Sequence, residues 1–313
     1  MTTRNTRKES PHQPVLYNEI IHVLQPKRSG HYIDGTLGAG GHAWGILEAS
    51  SPDGRLLGLD VDPQALALAG ARLSPFGERI VLRHASYTAM DEQLAALRWG
   101  KVDGILLDLG VSSMQLDQPE RGFSFQAEAP LDMRFDPTTG LTAADLINDL
   151  PESELADLLY HYGEERKSRQ IARAIVQARP LHMTTELAQV VRHTIGRGKE
   201  RIDPATRTFQ ALRIAVNHEL ESVEIGLPLA LQLLVPGGRL AVIAFHSLED
   251  RLVKRYFHRE SQDCICPPEQ PVCTCGHLAS LREITRHPMQ VQEDELLLNP
   301  RARSARLRVA EKI

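Results

Sequence analysis

Between Tyr32 and Phe245 the chain repeats one theme: a short apolar run, a turn or an acidic residue, then a segment with helical spacing. Such alternation marks a parallel α/β sheet, whose neighbouring strands must be joined by crossovers. The runs are HYID ending at Asp34, RLLGLD ending at Asp60, RIVLRH ending near His84, VDGILLDLG ending at Gly110 and GGRLAVIAF ending at Phe245. Connections between the first four are about one helix long, as in Pro63–Leu73, where Leu66, Ala69 and Leu73 recur at helical spacing.

The connection into the fifth run breaks this rhythm. From Gly110 to Gly237 lies far more chain than the ~10–12 residues a crossover needs, too much for an unstructured loop in a compact domain. An inserted, mainly helical domain is expected over 118–213, leaving 1–117 and 214–313 to the sheet domain. Helices are predicted at Thr142–Leu150, Glu152–Tyr162, Glu164–Gln177 and Thr184–Ile195, with capping signals at Thr142 and Thr184. Asp203-Pro204 reads as an N-cap followed by proline at the first helical position, opening the helix that returns the chain to the sheet.

A chain of 313 residues accommodates about two domains of ordinary size. Its 42% hydrophobic and 24% charged residues are those of a globular protein, and its net charge of −4 gives no whole-chain attraction to nucleic acid. The exception is local. Between Arg166 and Arg213 eleven Lys and Arg residues face three acidic ones, an excess that suits phosphate contacts or a solvated helical face. No secretory signal or membrane-length apolar run is present, so a cytoplasmic location is expected. The cysteines, Cys264, Cys266, Cys273 and Cys275, are too local for a disulfide framework. With His277 they could clamp zinc, but C-x-C departs from the usual C-x2–4-C, and reduced loop thiols without a metal are the expectation.

After the first strand the chain reads DGTLGAGGH, Asp34 to His42. Glycines between a strand and a helix let backbone amides approach a ligand closely, and Asp60, twenty residues beyond Gly40 at the end of the second strand, suits the hydroxyls of a ribose. The dinucleotide fingerprint G-x-G-x-x-G is not met with three glycines. The pattern Asp34-x-Thr36-x-Gly38-x-Gly40 instead resembles the acidic-x-Gly-x-Gly-x-Gly of class I S-adenosylmethionine methyltransferases, with Thr36 in place of one glycine. The Pro-Gly-Gly before the fifth strand recurs in those enzymes. A class I methyltransferase (Rossmann-like) sheet with a helical insert is therefore expected, a nicotinamide dehydrogenase being the alternative.

Longer motifs narrow the reading. HQPVL at His12–Leu16, LLDLGVSSMQLD at Leu106–Asp117, RGFSF at Arg121–Phe125, PLDMRFDP at Pro130–Pro137, ATRTFQALRIAVN at Ala205–Asn217 and FHSLEDRLVKRYF at Phe245–Phe257, together with DGTLGAGGH, resemble the RsmH (MraW) family. The resemblance runs from about His12 to the NPRARSARLRVAE segment near the end. It implies transfer of a methyl group from S-adenosylmethionine to N4 of a decoding-centre cytosine in bacterial 16S ribosomal RNA, with the small ribosomal subunit as partner. It also implies cofactor contacts at Gly40, Gly41, His42, Asp60, Tyr87, Asp108 and Gln115. A noncatalytic RNA-binding module on the same fold is the remaining alternative, which retention of the glycines, Asp60 and Asp108 argues against.

The exocyclic amine of cytosine is a poor nucleophile because its lone pair is conjugated with the ring. Catalysis needs acceptors that hold the NH2 in line and return electron density to nitrogen. Where many amino-methyltransferases carry Asp/Asn-Pro-Pro-aromatic, this chain has Asp108-Leu109-Gly110-Val111-Ser112-Ser113, so Asp108 and Ser112 are the candidate catalytic acceptors and His246 a weaker one. Phe123, Phe125 and Phe135 could sandwich a flipped base or pack the insert. Arg121 and Arg134 could bind phosphate or pair with Asp132 or Asp136.

Overall fold

The computed structural model describes residues 14–196, 203–270 and 272–313. In chain order the elements are α1 (Tyr17–Leu24), β1 (His31–Asp34), α2 (Gly41–Ala49), β2 (Arg55–Asp60), α3 (Pro63–Leu73), β3 (Ile80–His84), α4 (Met90–Leu97) and β4 (Val102–Asp108). Then come α5 (Ser113–Leu116), α6 (Ala143–Asp149), α7 (Glu152–Gly163), α8 (Ser168–Ala178), α9 (Thr184–Ile195), α10 (Ala205–Asn217) and α11 (Glu219–Leu233). The chain closes with β5 (Leu234–Ala244), α12 (Ser247–Glu260), β6 (Leu281–Glu283), β7 (Met289–Gln290), α13 (Glu293–Leu298) and β8 (Arg306–Lys312).

The described residues divide into two compact units. The first takes in the chain up to Asp60, Gln64–Leu109 and Leu227–Ile313; the second takes in Val61–Pro63 and Gly110–Gly226. The second unit is thus wider than the 118–213 expected from sequence. Within it the Arg213 guanidinium pairs with Glu219, at 2.8 Å from Nε to Oε1, and ties the end of α10 to the start of α11.

The first unit is built on one sheet of order β3-β2-β1-β4-β5-β8-β6, with β7 also paired to β8. Strands β1 to β5 pair in parallel, as the alternation of apolar runs and helices requires. Both faces are covered, so the strands are apolar almost throughout: Ile33, Leu56, Leu57, Ile105, Leu106 and Leu107 are fully buried. The Pro-Gly-Gly segment is not a turn before β5 but an irregularity inside it, where the register against β4 shifts between Val102 and Gly104.

Three strands were not legible. β8 runs antiparallel against β5, and β6 and β7 pair with β8 in turn. Because both faces of β8 are covered, Leu307, Arg308, Val309 and Ala310 are all buried, and the segment lacks the alternation that identifies a half-exposed strand. Arg308 therefore needs a partner. Its Nε lies 2.6 Å from Oδ1 of Asp250 on α12, and Arg306 Nη1 lies 3.0 Å from Oδ2 of the same carboxylate.

The second unit is helical. Leu155, Leu159, Ile171, Ile175, Leu187, Val191, Phe209 and Leu212 form one core from α7, α8, α9 and α10. Helix α9 has the bounds read from sequence, whereas α8 begins at Ser168 rather than Glu164. Glu164 adopts a left-handed conformation that ends α7, and Glu165 Oε1 accepts the Lys167 amide at 2.8 Å. The cap of α10 lies one residue later than expected: Asp203 Oδ1 accepts from the Ala205 amide at 2.9 Å, across Pro204.

Burial pushes the Asp250 carboxyl up, but the hydrogen bonds from Arg308 and Arg306 outweigh it and hold the group below the usual carboxylate range. Its contribution to stability is thus present above that range and lost as pH falls through the depressed value. Asp250→Ala, which strands the buried Arg308, is expected to cost about 3–5 kcal/mol at neutral pH. Urea denaturation measures it, and the deficit relative to the native chain should shrink on strong acidification.

Candidate cofactor and catalytic site

In the sheet β1 lies between β2 and β4, so strand order reverses between β1 and β4. A crevice opens at the carboxyl ends of parallel strands at such a reversal, the usual ligand position in open α/β sheets. Asp34, Asp60 and Asp108 end β1, β2 and β4.

The loop from Gly35 to Gly40 is held from both sides. Gly35 donates to the Leu106 carbonyl on β4 at 2.9 Å, and Leu37 donates to the Leu59 carbonyl on β2 at 2.9 Å. The Gly38 amide donates to Asp60 Oδ2 at 2.7 Å, and the Asp108 amide donates to Thr36 Oγ1 at 2.6 Å. Thr36, which departs from the glycine pattern, therefore supplies a bond that glycine could not. Gly40 has φ +75°, and a Cβ on Gly41 would come within 2.3 Å of Pro14 Cγ, so both positions require glycine. Gly38, at φ +53°, likewise favours glycine, and a Cβ there would meet only open space. Tyr87 follows β3 in a short 3-10 turn with its Cβ against Gly35, where an added Cβ would approach to 2.9 Å.

Charge is concentrated here. Asp34 is fully buried, and burial is the main cause that pushes its carboxyl up to about 7. His42 opposes that rise, while Asp108 and Asp60 add like-charge repulsion. The buried His42 ring sits with Nε2 3.6 Å from Asp108 Oδ2, and neither ring nitrogen has a partner within hydrogen-bonding distance. Asp34 Oδ2 and Asp108 Oδ1 are also buried without a hydrogen-bond partner. Sequence reasoning placed no site role on Asp34; its position as the acidic residue of the glycine pattern was the available signal.

The other expected residues have structural partners. In the second unit Ser112 caps α5, its Oγ accepting from the Gln115 amide at 3.2 Å, while Gln115 Oε1 accepts from the Ser112 amide at 3.0 Å. Gln115 Nε2 donates to Asp62 at 2.9 Å, so both ends of this buried amide are engaged. Arg121 pairs with the same Asp62 carboxylate at 2.7 Å and donates to the Arg134 and Phe135 carbonyls. Buried in this way, Arg121 is not a surface phosphate contact, and its acid is Asp62 rather than Asp132 or Asp136. Asp62 escaped the sequence reading, although Asp-Pro ahead of a helical pattern flags it. Arg134 pairs with Asp132 through two bonds of 2.9 and 2.7 Å. Phe123 stacks on Phe135 at 5.7 Å and Phe125 meets Phe209 edge-on at 4.8 Å, both packing within the unit. In the first unit His246 caps α12, its Nε2 3.1 Å from the buried Glu249 Oε1.

Comparison with known proteins decides the family. Residues 9–313 match the MraW methylase family. The chain belongs to that family. It is 51% identical over 311 residues to the ribosomal RNA small subunit methyltransferase H of Heliobacterium mobile, covering 97% of this chain and 100% of that protein. It is 54% identical over 307 residues to the protein of the same name from Geobacter sulfurreducens, covering 96% of this chain and 99% of that protein. The dehydrogenase alternative falls with this result. S-adenosylmethionine is the cofactor of this MraW methylase family member.

The residues present fit that group. Buried carboxylate oxygens without partners at Asp34 and Asp108 suit a ligand that brings cationic charge and N–H or O–H donors, and the open space at Gly38 admits it close to the backbone. Among the described residues no helix is long and apolar enough to cross a membrane.

Because Asp34 titrates near 7 when folded and near 3.8 when unfolded, folding favours its protonated form. Its contribution to stability is complete below the lower value and declines as pH rises through the upper one. The cofactor-free protein should lose urea stability across that interval, and Asp34→Asn should remove this part of the slope. Parallel pH profiles for the two proteins would show that Asp34 titrates as an ordinary carboxylate.

Proposed function

We propose that this chain transfers the methyl group of S-adenosylmethionine to the exocyclic N4 of a decoding-centre cytosine in bacterial 16S ribosomal RNA, acting on the small ribosomal subunit. The relatives' shared name, ribosomal RNA small subunit methyltransferase H, supports the substrate class. The observation that carries the chemistry is the buried, unpartnered Asp108 Oδ1 at the end of β4.

Bound S-adenosylmethionine supplies an electrophilic methyl on a sulfonium, which leaves as the thioether when the nitrogen attacks. Asp108 accepts a hydrogen bond from the cytosine NH2, directs the nitrogen lone pair toward the methyl carbon and returns electron density to it. No strong base is required, since the methylated ammonium is acidic and gives its proton to Asp108 or water. Ser112, the second expected acceptor, has its hydroxyl engaged in a helix cap, which favours Asp108 for this task. On the cofactor side Gly40 and Gly41 shape the loop, Asp60, whose Oδ2 steadies Gly38, would receive the ribose hydroxyls, and Tyr87 would hold the adenine. His42 brings ring nitrogens without a hydrogen-bond partner, its Nε2 3.6 Å from Asp108 Oδ2, while Gln115 acts through the α5 cap.

The test is mass mapping of methylated nucleotides in 16S RNA from a strain lacking the protein. N4-methylcytosine at the decoding centre should vanish, return with the native gene and fail to return with Asp108→Ala. An unchanged methylation map in the deletion strain would overturn the assignment.

RNA binding is assigned to the exposed face at the start of α8. Ser168, Ile171, Ala172 and Ile175 are buried, leaving Arg166, Lys167, Arg169 and Arg173 at the surface. Arg197, Lys199 and Arg201, also counted in the basic excess, lie outside the described residues. Reversing the charge of Arg166, Arg169 and Arg173 should weaken RNA binding and flatten its salt dependence, because fewer counterions are released, while cofactor affinity is kept. Filter-binding titrations at several salt concentrations read this out, and unchanged slopes would move the RNA surface elsewhere.

A further inference from the structure

The loop between α12 and β6 has no regular secondary structure among its described residues, and two of its large apolar side chains face solvent: Val272 is 69% and Leu278 76% exposed. Without a core of its own, an ordered segment of this length needs another source of cohesion. The four cysteines of the chain lie here, and their sulfurs converge. Cys264, Cys266, Cys273 and Cys275 place all four Sγ atoms within 4.8 Å of one another. Three of the separations are 3.4 Å between Cys264 and Cys273, 3.6 Å between Cys273 and Cys275, and 3.8 Å between Cys264 and Cys275.

We propose that these four cysteines bind one zinc ion as a closed, tetrahedral, structural site. A Zn–S bond of about 2.3 Å sets the edge of a regular four-sulfur tetrahedron at about 3.8 Å, close to the separations found. Disulfide bonding requires about 2.05 Å, and all four thiols are free. A cluster of several irons would distribute its thiolates over separate metal atoms and spread them beyond this span.

The surrounding backbone is arranged for thiolates. The Ile265 and His277 amides each point at Cys275 Sγ at 3.5 Å, and the Thr274 amide points at Cys266 Sγ at 3.5 Å. Such N–H donors orient the sulfurs and favour their charged form. Gly276, at φ +61°, makes the turn that follows Cys275. The C-x-C spacing departs from the usual zinc pattern, but the chain bends at Cys266 and at Cys275, the second cysteine of each pair. In an extended strand alternate side chains share a face but stand too far apart to meet on one ion. Here Gln270 Nε2 donates to the Val272 carbonyl at 3.1 Å and to Thr274 Oγ1 at 2.7 Å, folding the segment that carries the second pair. His277 stays outside the sulfur cluster, its Nε2 3.1 Å from the Arg259 carbonyl. On binding, each thiol gives its proton to solvent as its sulfur bonds zinc. Four protein ligands leave no open position, so the ion holds the loop and takes no part in methyl transfer.

The experiment uses the full-length protein, expressed with added zinc and purified under reducing conditions without chelator. Elemental analysis should find one zinc per chain, and the double variant Cys264→Ser/Cys273→Ser should fall to background while keeping its affinity for S-adenosylmethionine. Because that variant could misfold, the native chain is also stripped and reconstituted with cobalt(II). The thiolate charge-transfer bands and intense visible bands of a tetrahedral site are expected, and chelation should lower Tm. Substoichiometric zinc in the native protein, equal zinc in the double variant, iron in place of zinc, or absence of the tetrahedral cobalt spectrum would each overturn the proposal.

Discussion

The hydrogen bond from the Asp108 amide to the Thr36 hydroxyl joins the end of β4 to the loop that follows β1, and the site depends on it. Strand β1 has only four residues and is paired on both edges: Asp34 stands opposite Gly58 on β2 and Leu106 on β4. Beyond Asp34 the two neighbours continue while β1 stops, so the loop has no ladder of its own to follow. Its amides are taken up instead by Leu106, Leu59 and Asp60, and its hydroxyl by Asp108. A glycine at position 36 would keep the backbone path and the Gly35 bond to Leu106, but would leave the Asp108 amide without the Thr36 hydroxyl.

The fold was legible wherever local chemistry alone decides it. Apolar runs ending in Asp34, Asp60 and Asp108 mark parallel strands because each acid sits where the strand leaves the sheet. Helices α7 and α9 start where the apolar spacing says, α7 without a side-chain cap and α9 closed by Glu186, which accepts from the His182 and Met183 amides, rather than by Thr184. What escaped depends on pairs far apart in the chain. Arg308 looks like part of a basic tail until Asp250, fifty-eight residues earlier, is placed beside it. The Asp62–Arg121–Gln115 group is of the same kind: each residue has an acceptable local role, and only the folded chain shows one carboxylate serving both partners.

The basic excess of the second unit divides in a similar way. Arg179 donates to the Ile147 and Leu150 carbonyls at the end of α6, Arg192 chelates Asp203, and Arg213 pairs with the buried Glu219. These arginines serve as cross-links between helices whose short apolar faces leave carbonyls and carboxylates to satisfy. The net charge of the segment thus overstates the charge available to a phosphate backbone, because a guanidinium already bonded to a carboxylate is largely neutralised. At the exposed start of α8 the apolar positions are turned to the core and Arg166 and Arg169 face water, while Arg173 pairs with Glu152 only at 3.4 Å and on the surface.

The sheet edge itself is where the chain accepts disorder in its own electrostatics. Three carboxylates end adjacent strands, one so buried that it titrates near 7, and polar atoms of Asp34, His42 and Asp108 are buried without partners. An orphaned buried polar group costs on the order of 1–3 kcal/mol, so such a cluster is destabilising in the cofactor-free chain. Well-packed apolar strands on both sides and the fastened loop allow it to persist, because they leave the carboxylates no low-energy way to move apart. The same constraint explains why the strain sits at the reversal of strand order. Only there do two parallel neighbours carry their carboxylates past a shorter strand, leaving a polar crevice that a cationic, donor-rich ligand would satisfy without any rearrangement of the sheet.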